Sequence, residues 1–455
     1  MKSFRPDRAR VAHEVGATVR LALPLIAAQL AAVGPNFVDA VLAGHLSAHV
    51  QAAVTTAVSI WALALVSGMG MMMAVPPSVA QLDGAGRRHE VGAVFVQALW
   101  LAWGMGIVLW FLIRHASPLL DWIGVVPTLR TDVTHFLHAI SWAAPALTSY
   151  FALRGLSEGL SMTRPSMYFS FGGLLLLAPL GYVMMYGRLG LPQMGSLGSG
   201  IATTIVLWLE MIGFSIYVAR HPAYRDLGLR AGMAWPNPRI LGELLKIGGP
   251  MAVTLLAEGG LFVAVALAIA TLGETVVASH QVALSVATVA FMVPLGLSMA
   301  ITVRVGNAVG RNDARAVRYA GFCGIALALC VQSVSSSVML GMPHLLARLY
   351  TNDASVIALA AQLMVLAGLF QFSDGIQVTS NGALRGLKDT RVPMVITLFA
   401  YWVIGMPVGW WLAFHQGLGA RGMWMGLIAG LSMAALLLFA RFWRNAFHAS
   451  WRRPG

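Results

Sequence analysis

The sequence predicts an all-α integral membrane protein with twelve spans in a six-plus-six arrangement, and three observations predict it. Of 455 residues, 58% are hydrophobic and only 10% charged, against about 25% charged in an ordinary soluble domain. The mean hydropathy is +0.75. A soluble fold cannot cover such a surface, which excludes a water-soluble enzyme. Twelve apolar runs, each long enough for a hydrocarbon core of about 30 Å at roughly 20 residues per span, are separated by short polar breaks. The third observation is that the two halves of the chain repeat one another.

The first span is expected over 17–43, behind a basic arm of Arg5, Arg8, Arg10 and Arg20. The arm looks superficially like a signal peptide. The apolar run continues past Asp39 with no evident cleavage site, so it reads as an uncleaved span that Pro24 and Pro35 can kink. The second, 51–80, contains GMGMMMA (68–74), a methionine cluster read as helix packing, with an adaptable ligand surface as the other reading. Spans three and four follow at 91–113 and 130–157. Near the end of the fourth, Arg154 and Glu158 stand four apart, a local ion pair whose exposed form is worth only ~0.3–0.5 kcal/mol. Spans five and six lie at 166–186 and 197–219.

The longest break, 220–242, carries Arg220, Arg225, Arg230 and Arg239 with Pro222, Pro236 and Pro238. It reads as a linker (226–242) between an N-lobe, 1–225, and a C-lobe, 243–455. The C-lobe spans are expected at 243–270, 276–303, 316–340, 354–384, 392–414 and 422–442. Cys323 and Cys330 lie seven apart on one face of the ninth, two turns from each other and too far for a disulfide. Asp353, in TNDAS, reads as a helix N-cap.

The formal charge of +13 is explained by topology. With the N-terminus inside, 24 of 30 Lys and Arg fall on one side, five on the other (Arg114, Arg130, Arg188, Arg348, Arg421), and Arg154 within span four. This asymmetry is the positive-inside pattern for twelve spans with both ends cytoplasmic, and it removes the case for nucleic acid. The repeat appears as LRGLSEGLSMTRPSM from Leu153 and LRGLKDTRVPM from Leu384, which pairs Arg154 with Arg385 and Pro165 with Pro393. VAQLDGAGRR (79–88) and VRVGNAVGRN (303–312) pair Gly86 with Gly310. The separations of 231, 228 and 224 bracket half the chain. Two repeats in one orientation are the construction of alternating-access transporters. Gly155/Gly159 and Gly306/Gly310 read as close helix packing.

Enzyme motifs are missing. His13-Glu14 and His89-Glu90 lack the second His of a zinc hydrolase, and no phosphate-cradling glycine loop is present. Energy must come from a gradient or a partner. Intramembrane acids are the sharper signal, because a charge at the bilayer centre costs about 2.5–3.5 kcal/mol on insertion scales. At ~1.5 Å per residue, Glu258 lies about 22 Å into span seven and Asp374 about 15 Å from the inner end of span ten. Both fall near mid-membrane in one half of the chain and can share a cation. Asp39 lies about 29 Å beyond Arg20, and Glu210 about 15 Å from Arg220. His138 and His280 read as hydrogen-bonded structural residues.

NFVDAVLAG on span one, Glu258-Gly-Gly on span seven, VVASHQVALS at 276–285, FQFSDGIQV on span ten and ALRGLKDTRVPM after it resemble the multidrug and toxic compound extrusion (MATE) family, NorM branch. The resemblance runs across nearly the whole chain. It implies two pseudo-symmetric six-helix lobes around a central cleft, exporting organic cations in exchange for Na⁺ or H⁺. The family's coupling acids map onto Glu258 and Asp374, which would also ligate Na⁺ if sodium is the coupling ion, and its N-lobe acid maps onto Asp39. Substrate-cleft candidates are Glu210, Gln281, Met292, Phe370 and Gln377. The sequence departs from the pattern at span five, where Leu177 and Gly181 flank Pro179 in place of two asparagines. Glu210 is not part of the family pattern.

The function expected is a cation-coupled antiporter expelling amphipathic organic cations across a bacterial inner membrane. It would act as a monomer among membrane lipids, with no enzyme activity, no cofactor and no nucleic-acid partner. The alternative is a flippase for lipid-linked precursors, whose pyrophosphate would call for a basic cleft. Here intramembrane charge is mostly acidic and basic charge sits at helix rims. A non-transporting sensor is a third reading, and it predicts no flux.

Overall fold

The computed structural model describes residues 7–122, 124–229 and 235–448. Lys2, Arg5, Arg230, Arg452 and Arg453, counted in the charge asymmetry, lie outside them. The described regular structure is helical throughout: α1 (Arg8–Leu46), α2 (Ala48–Met72), α3 (Val75–Gly84), α4 (Val91–Arg114), α5 (Ser117–Trp122), α6 (Pro127–Ser141), α7 (Ala144–Gly159), α8 (Arg164–Tyr186) and α9 (Gly195–Arg220). After the linker come α10 (Pro238–Ala270), α11 (Glu274–Gly310), α12 (Ala314–Gly341), α13 (Pro343–Arg348), α14 (Ala354–Gly386), α15 (Arg391–Leu398), α16 (Met406–Trp410) and α17 (Ala420–His448). Short 3₁₀ turns cover Arg88–Glu90 and Pro222–Leu227. Side-chain caps start several of the helices. Ser47 accepts from the Val50 N–H ahead of α2, and Asp313 from Arg315 and Ala316 ahead of α12. Asp353 caps α14 as expected, accepting from Ser355 and Val356.

Eleven helical stretches among the described residues are long and apolar enough to cross a membrane. The expected fourth span, 130–157, falls instead in α6 and α7, of 15 and 16 residues. Pro145 accounts for the break: it offers no N–H, and its ring collides with the carbonyl four residues back, at Ser141, where α6 ends. Pro76 and Pro77 act likewise on the carbonyls of Met72 and Met73, dividing α2 from α3. The eleventh span is continuous but wound in places as π-helix, over Phe399–Gly405 and Trp411–His415. Pro24 and Pro35 are accommodated within an unbroken α1.

The chain forms two compact units, one of residues 27–252 and one of residues up to Ile26 together with those from Val253 onward. Relative to a division at the 226–242 linker, the units exchange the first part of two helices. The start of α1 belongs with the second half of the chain. Ala22 and Leu25 are buried against Leu297, Ala300 and Ala328, Glu14 pairs with Arg304 at 2.6 Å, and Arg10 with Asp313 at 3.2 Å. The start of α10 belongs with the first half, where Leu244 and Ile247 join a core containing Phe95, Tyr150, Leu156 and Phe214. The other large cores surround Trp61, Phe136 and Ile140 in this unit, and Trp424, Tyr401 and Leu363 in the other.

The backbone refines the repeat. Ser161 and Lys388 take the left-handed conformation (φ 63° and 59°) just past α7 and α14, and Asn312 (φ 54°) past α11 matches Gly86 (φ 71°) past α3. The closing hydrogen bonds agree: Met162 N–H to Ser157 and Asp389 N–H to Leu384, Arg87 N–H to Leu82 and Asp313 N–H to Ala308. The register is therefore 226–227 residues, and Arg385 corresponds to Glu158 rather than to Arg154. The LRGL motif misaligned the halves by four residues, about one helical turn, over which glycine and apolar patterns match almost equally well.

The same register pairs two tight contacts. A Cβ at Gly159 would lie 2.6 Å from Val79 Cβ, and one at Gly386 would lie 2.8 Å from both the Thr302 carbonyl and Val305 Cβ. The closeness of α11 and α14 permits hydrogen bonds from Ser298 Oγ to the Val378 carbonyl and from Thr302 Oγ1 to the Gly382 carbonyl, at 2.7 and 2.9 Å.

Candidate cation site

In the unit that begins again at Val253, α10, α14 and the first π-helical segment bring Glu258, Asp374 and Tyr401 within electrostatic reach of one another. Asp374 is buried, and its Oδ2 has no hydrogen-bond partner among the described residues. The Tyr401 side chain is fully buried, with its hydroxyl beside the Glu258 carboxylate but outside hydrogen-bonding geometry. Beneath Asp374 lies a buried amide pair. Gln332 of α12 donates from Nε2 to Gln371 Oε1 at 2.7 Å, and Gly375 makes room for Gln332, whose Cγ lies 2.8 Å from where a Cβ would sit. Two carboxylates and a phenol thus present unused oxygen acceptors in a low-dielectric interior. An unpartnered buried carboxylate is costly unless a cation or a proton neutralises it.

The remaining sequence candidates are placed as follows. Gln377 is buried with Oε1 unpartnered. Phe370 is packed in the apolar core, its ring 6.4 Å from Phe262 and 6.1 Å from Trp424. Gln281 is exposed, and Met292 is partly buried. Asp39 lies in the other unit, buried, and its Oδ1 accepts from Ser199 Oγ at 2.7 Å. Glu210 is also in that unit, against α8. His138 donates from Nε2 to the Arg114 carbonyl, and His280 Nδ1 accepts from Trp424 Nε1, so both are tied into the helical framework. Among the described residues, no group of three or more His, Cys, Asp or Glu gathers as a metal site.

Sequence reasoning missed Tyr401, Gln371 and Gln332. The signal was present for the glutamines, since each is an amide inside an apolar helix. For Tyr401 it was not, because an aromatic residue in an apolar span gives no hint of a π-helical turn that re-aims it. The expected Arg154–Glu158 pair forms, at 2.5 Å, with both side chains buried. The span-five departure also has a structural counterpart. Leu177 is packed with Ala202 and Val206, and Leu42 lies against Gly181, so apolar contact occupies the place of the two asparagines.

The MatE family model matches residues 24–183 and 250–411. The two matched stretches start at Pro24 and Pro250, in the register the backbone gives. The chain is 46% identical over 433 residues to "Probable multidrug resistance protein NorM" of Xanthomonas campestris pv. campestris, covering 95% of this chain and 94% of that protein. It is 42% identical over 445 residues to "Multidrug resistance protein PmpM" of Pseudomonas aeruginosa, covering 96% and 93%. Among solved structures, the eukaryotic MATE transporter AtDTX14 shares the fold with a TM-score of 0.86 at 20% identity, covering 97% of this chain and 99% of that one. An outward-facing MATE family transporter gives 0.88 at 18% identity, covering 96% of each. Spans, repeat and relatives agree: this multi-pass chain belongs to the MatE family.

Proposed function

We propose that the protein is a cation-coupled multidrug antiporter that expels amphipathic organic cations across a bacterial inner membrane, with both termini in the cytoplasm. Glu258 and Asp374 bind the coupling ion, H⁺ or Na⁺, with Tyr401 beside them. The observation that carries this reading is Asp374, a buried carboxylate with an unpartnered oxygen next to a second carboxylate. Relatives named as multidrug resistance proteins support a role in drug export. The flippase reading is weaker. It needs basic groups free for a pyrophosphate, and the intramembrane Arg154 is engaged with Glu158 and Gln29.

Coupling requires the ion to prefer one conformation over the other, since equal affinity for both shifts nothing. An ion falling through 100 mV yields about 2.3 kcal/mol, and a tenfold gradient about 1.4 more. Expelling a monocation against the same potential costs about 2.3 kcal/mol, so one-for-one exchange sustains only about tenfold accumulation outside. A steeper gradient needs two coupling ions. The test is ethidium efflux from proteoliposomes under an imposed pH gradient or an imposed Na⁺ gradient, each alone. Efflux driven by either one supports the reading, and efflux driven by neither contradicts it.

A further inference from the structure

A second ionisable constellation lies wholly within the unit of residues 27–252. On α7, Arg154 donates from Nε to Glu158 Oε1 at 2.5 Å and from Nη2 to Gln29 Oε1 at 2.7 Å, all three residues being buried. One turn earlier on the same face, the Tyr150 hydroxyl is hydrogen-bonded to Ser170 Oγ of α8 at 3.0 Å. Three residues along α8 is Gly173, where a Cβ would lie 1.7 Å from Glu210 Oε1 and 2.5 Å from its Cδ. The carboxyl of α9 therefore fills a notch that only glycine leaves open. Arg154 and Tyr150 lie within electrostatic reach of Glu210. Glu158 is the ion-pair partner of Arg154, and among the described residues Arg154 is the charged group that acts on this carboxyl.

The charge count decides what the arrangement holds. Arg154 and Glu158 neutralise one another. An ionised Glu210 adds an uncompensated negative charge inside a membrane span, whereas a protonated Glu210 leaves the constellation neutral. The geometry also gives the ionised form somewhere to act, since Arg154 is a fixed cation within its reach.

We propose that Glu210 is a second proton-exchanging site, separate from Glu258 and Asp374, whose two charge states are balanced against Arg154. In the exchange the O–H bond of the Glu210 carboxylic acid breaks, its electron pair stays on the carboxylate oxygen, and the proton passes to a water molecule as hydronium. The Arg154 charge then holds the carboxylate until the reverse step. That this proton is coupled to export rests on the antiport reading above, and it would supply the second ion that a gradient steeper than tenfold requires.

The site itself is tested without transport. Infrared difference spectra of the purified full-length protein across a pH step should contain a carboxylic-acid carbonyl band that is lost in Glu210→Gln, present in Glu210→Asp, and retained when Glu258 and Asp374 are both amides. Gly173→Ala, which puts a methyl where the carboxylate sits, should shift the band. A Glu210→Gln spectrum identical to that of the unaltered protein overturns the proposal. Its coupling is tested in proteoliposomes with the potential clamped to zero. There, one proton fewer per ethidium lowers the steady-state gradient about tenfold per unit of imposed pH difference. Unchanged accumulation in Glu210→Gln overturns the coupling. Absence of any ethidium flux in the unaltered protein overturns the antiport reading, while the infrared result still decides Glu210.

Discussion

Replacing Gly386 by alanine adds one methyl group where α11 leaves no room for it. The new Cβ would meet the Thr302 carbonyl oxygen and Val305 Cβ, both at 2.8 Å, and Val305 Cγ1 at 2.9 Å. Non-bonded heavy atoms rest at about 3.5–4.0 Å, so the shortfall approaches an ångström. Neither a carbonyl nor a Cβ can rotate out of the way, so α11 and α14 must separate. Overpacking costs about 1–3 kcal/mol. The separation also stretches the bonds from Ser298 and Thr302 across the same interface, each worth about 0.6 kcal/mol in a membrane protein. The expected loss is about 2–4 kcal/mol. The counterpart Gly159→Ala, with its Cβ 2.6 Å from Val79 Cβ and 2.9 Å from the Pro76 carbonyl, should cost a similar amount. Gly104→Ala meets nothing within 4 Å and serves as the control. The assay is the midpoint of thermal unfolding of the detergent-purified protein, followed by tryptophan fluorescence. Both tight-contact variants should melt well below the control, and Val305→Ala should recover part of the loss in the Gly386→Ala background, since the two residues touch. A Gly386→Ala protein that melts with Gly104→Ala would refute the reasoning.

Three further outcomes are expected. Asp313→Ala removes the cap of α12, costing about 1 kcal/mol, and frees Arg10. Burial alone would push the Asp313 carboxyl up, but the N–H groups of Ala316 and Arg315, with the charges of Arg10 and Arg311, hold it below its ordinary value. A depressed folded-state value means this stabilisation is present above the ordinary carboxylate range of about pH 4 and is lost as the pH falls through the folded value. The melting gap between the two proteins should therefore close on acidification. Glu158→Leu removes the ion-pair partner of the buried Arg154 and should cost about 3–5 kcal/mol, most of it recovered when Arg154 is also made leucine. Denaturation midpoints of the three proteins check this. Tyr401→Phe removes the hydroxyl beside Glu258. It should raise the concentration of coupling cation needed for half-maximal efflux while leaving thermal stability close to unaltered.

Much of this architecture was legible because a membrane span is specified by composition over some twenty residues, a signal that survives local error. The acids were legible for a related reason: a charge inside such a span needs a local cause, so Glu258 and Asp374 stood out before any geometry did. What hydropathy cannot report is which neighbour covers an apolar face. The starts of α1 and α10 read as parts of their own halves, and only packing assigns Leu25 to Leu297 and Leu244 to the core around Phe95. The break ahead of Pro145 was written in the sequence, since a proline removes a hydrogen bond and clashes with the carbonyl four residues back. The apolar run simply masked it. The repeat register was misjudged by one turn until the left-handed residues Ser161 and Lys388 fixed it. Tyr401 was hidden because a π-helical turn leaves no mark on residue type.

The central claim is that Glu258 and Asp374 couple a cation gradient to export. It is tested most directly by measuring gradient-driven ethidium efflux from proteoliposomes containing equal amounts of the unaltered protein, Glu258→Gln or Asp374→Asn. Efflux should follow the imposed gradient in the unaltered protein and be lost in each amide variant, with folding and membrane insertion preserved. Undiminished gradient-driven efflux in both variants would contradict the assignment.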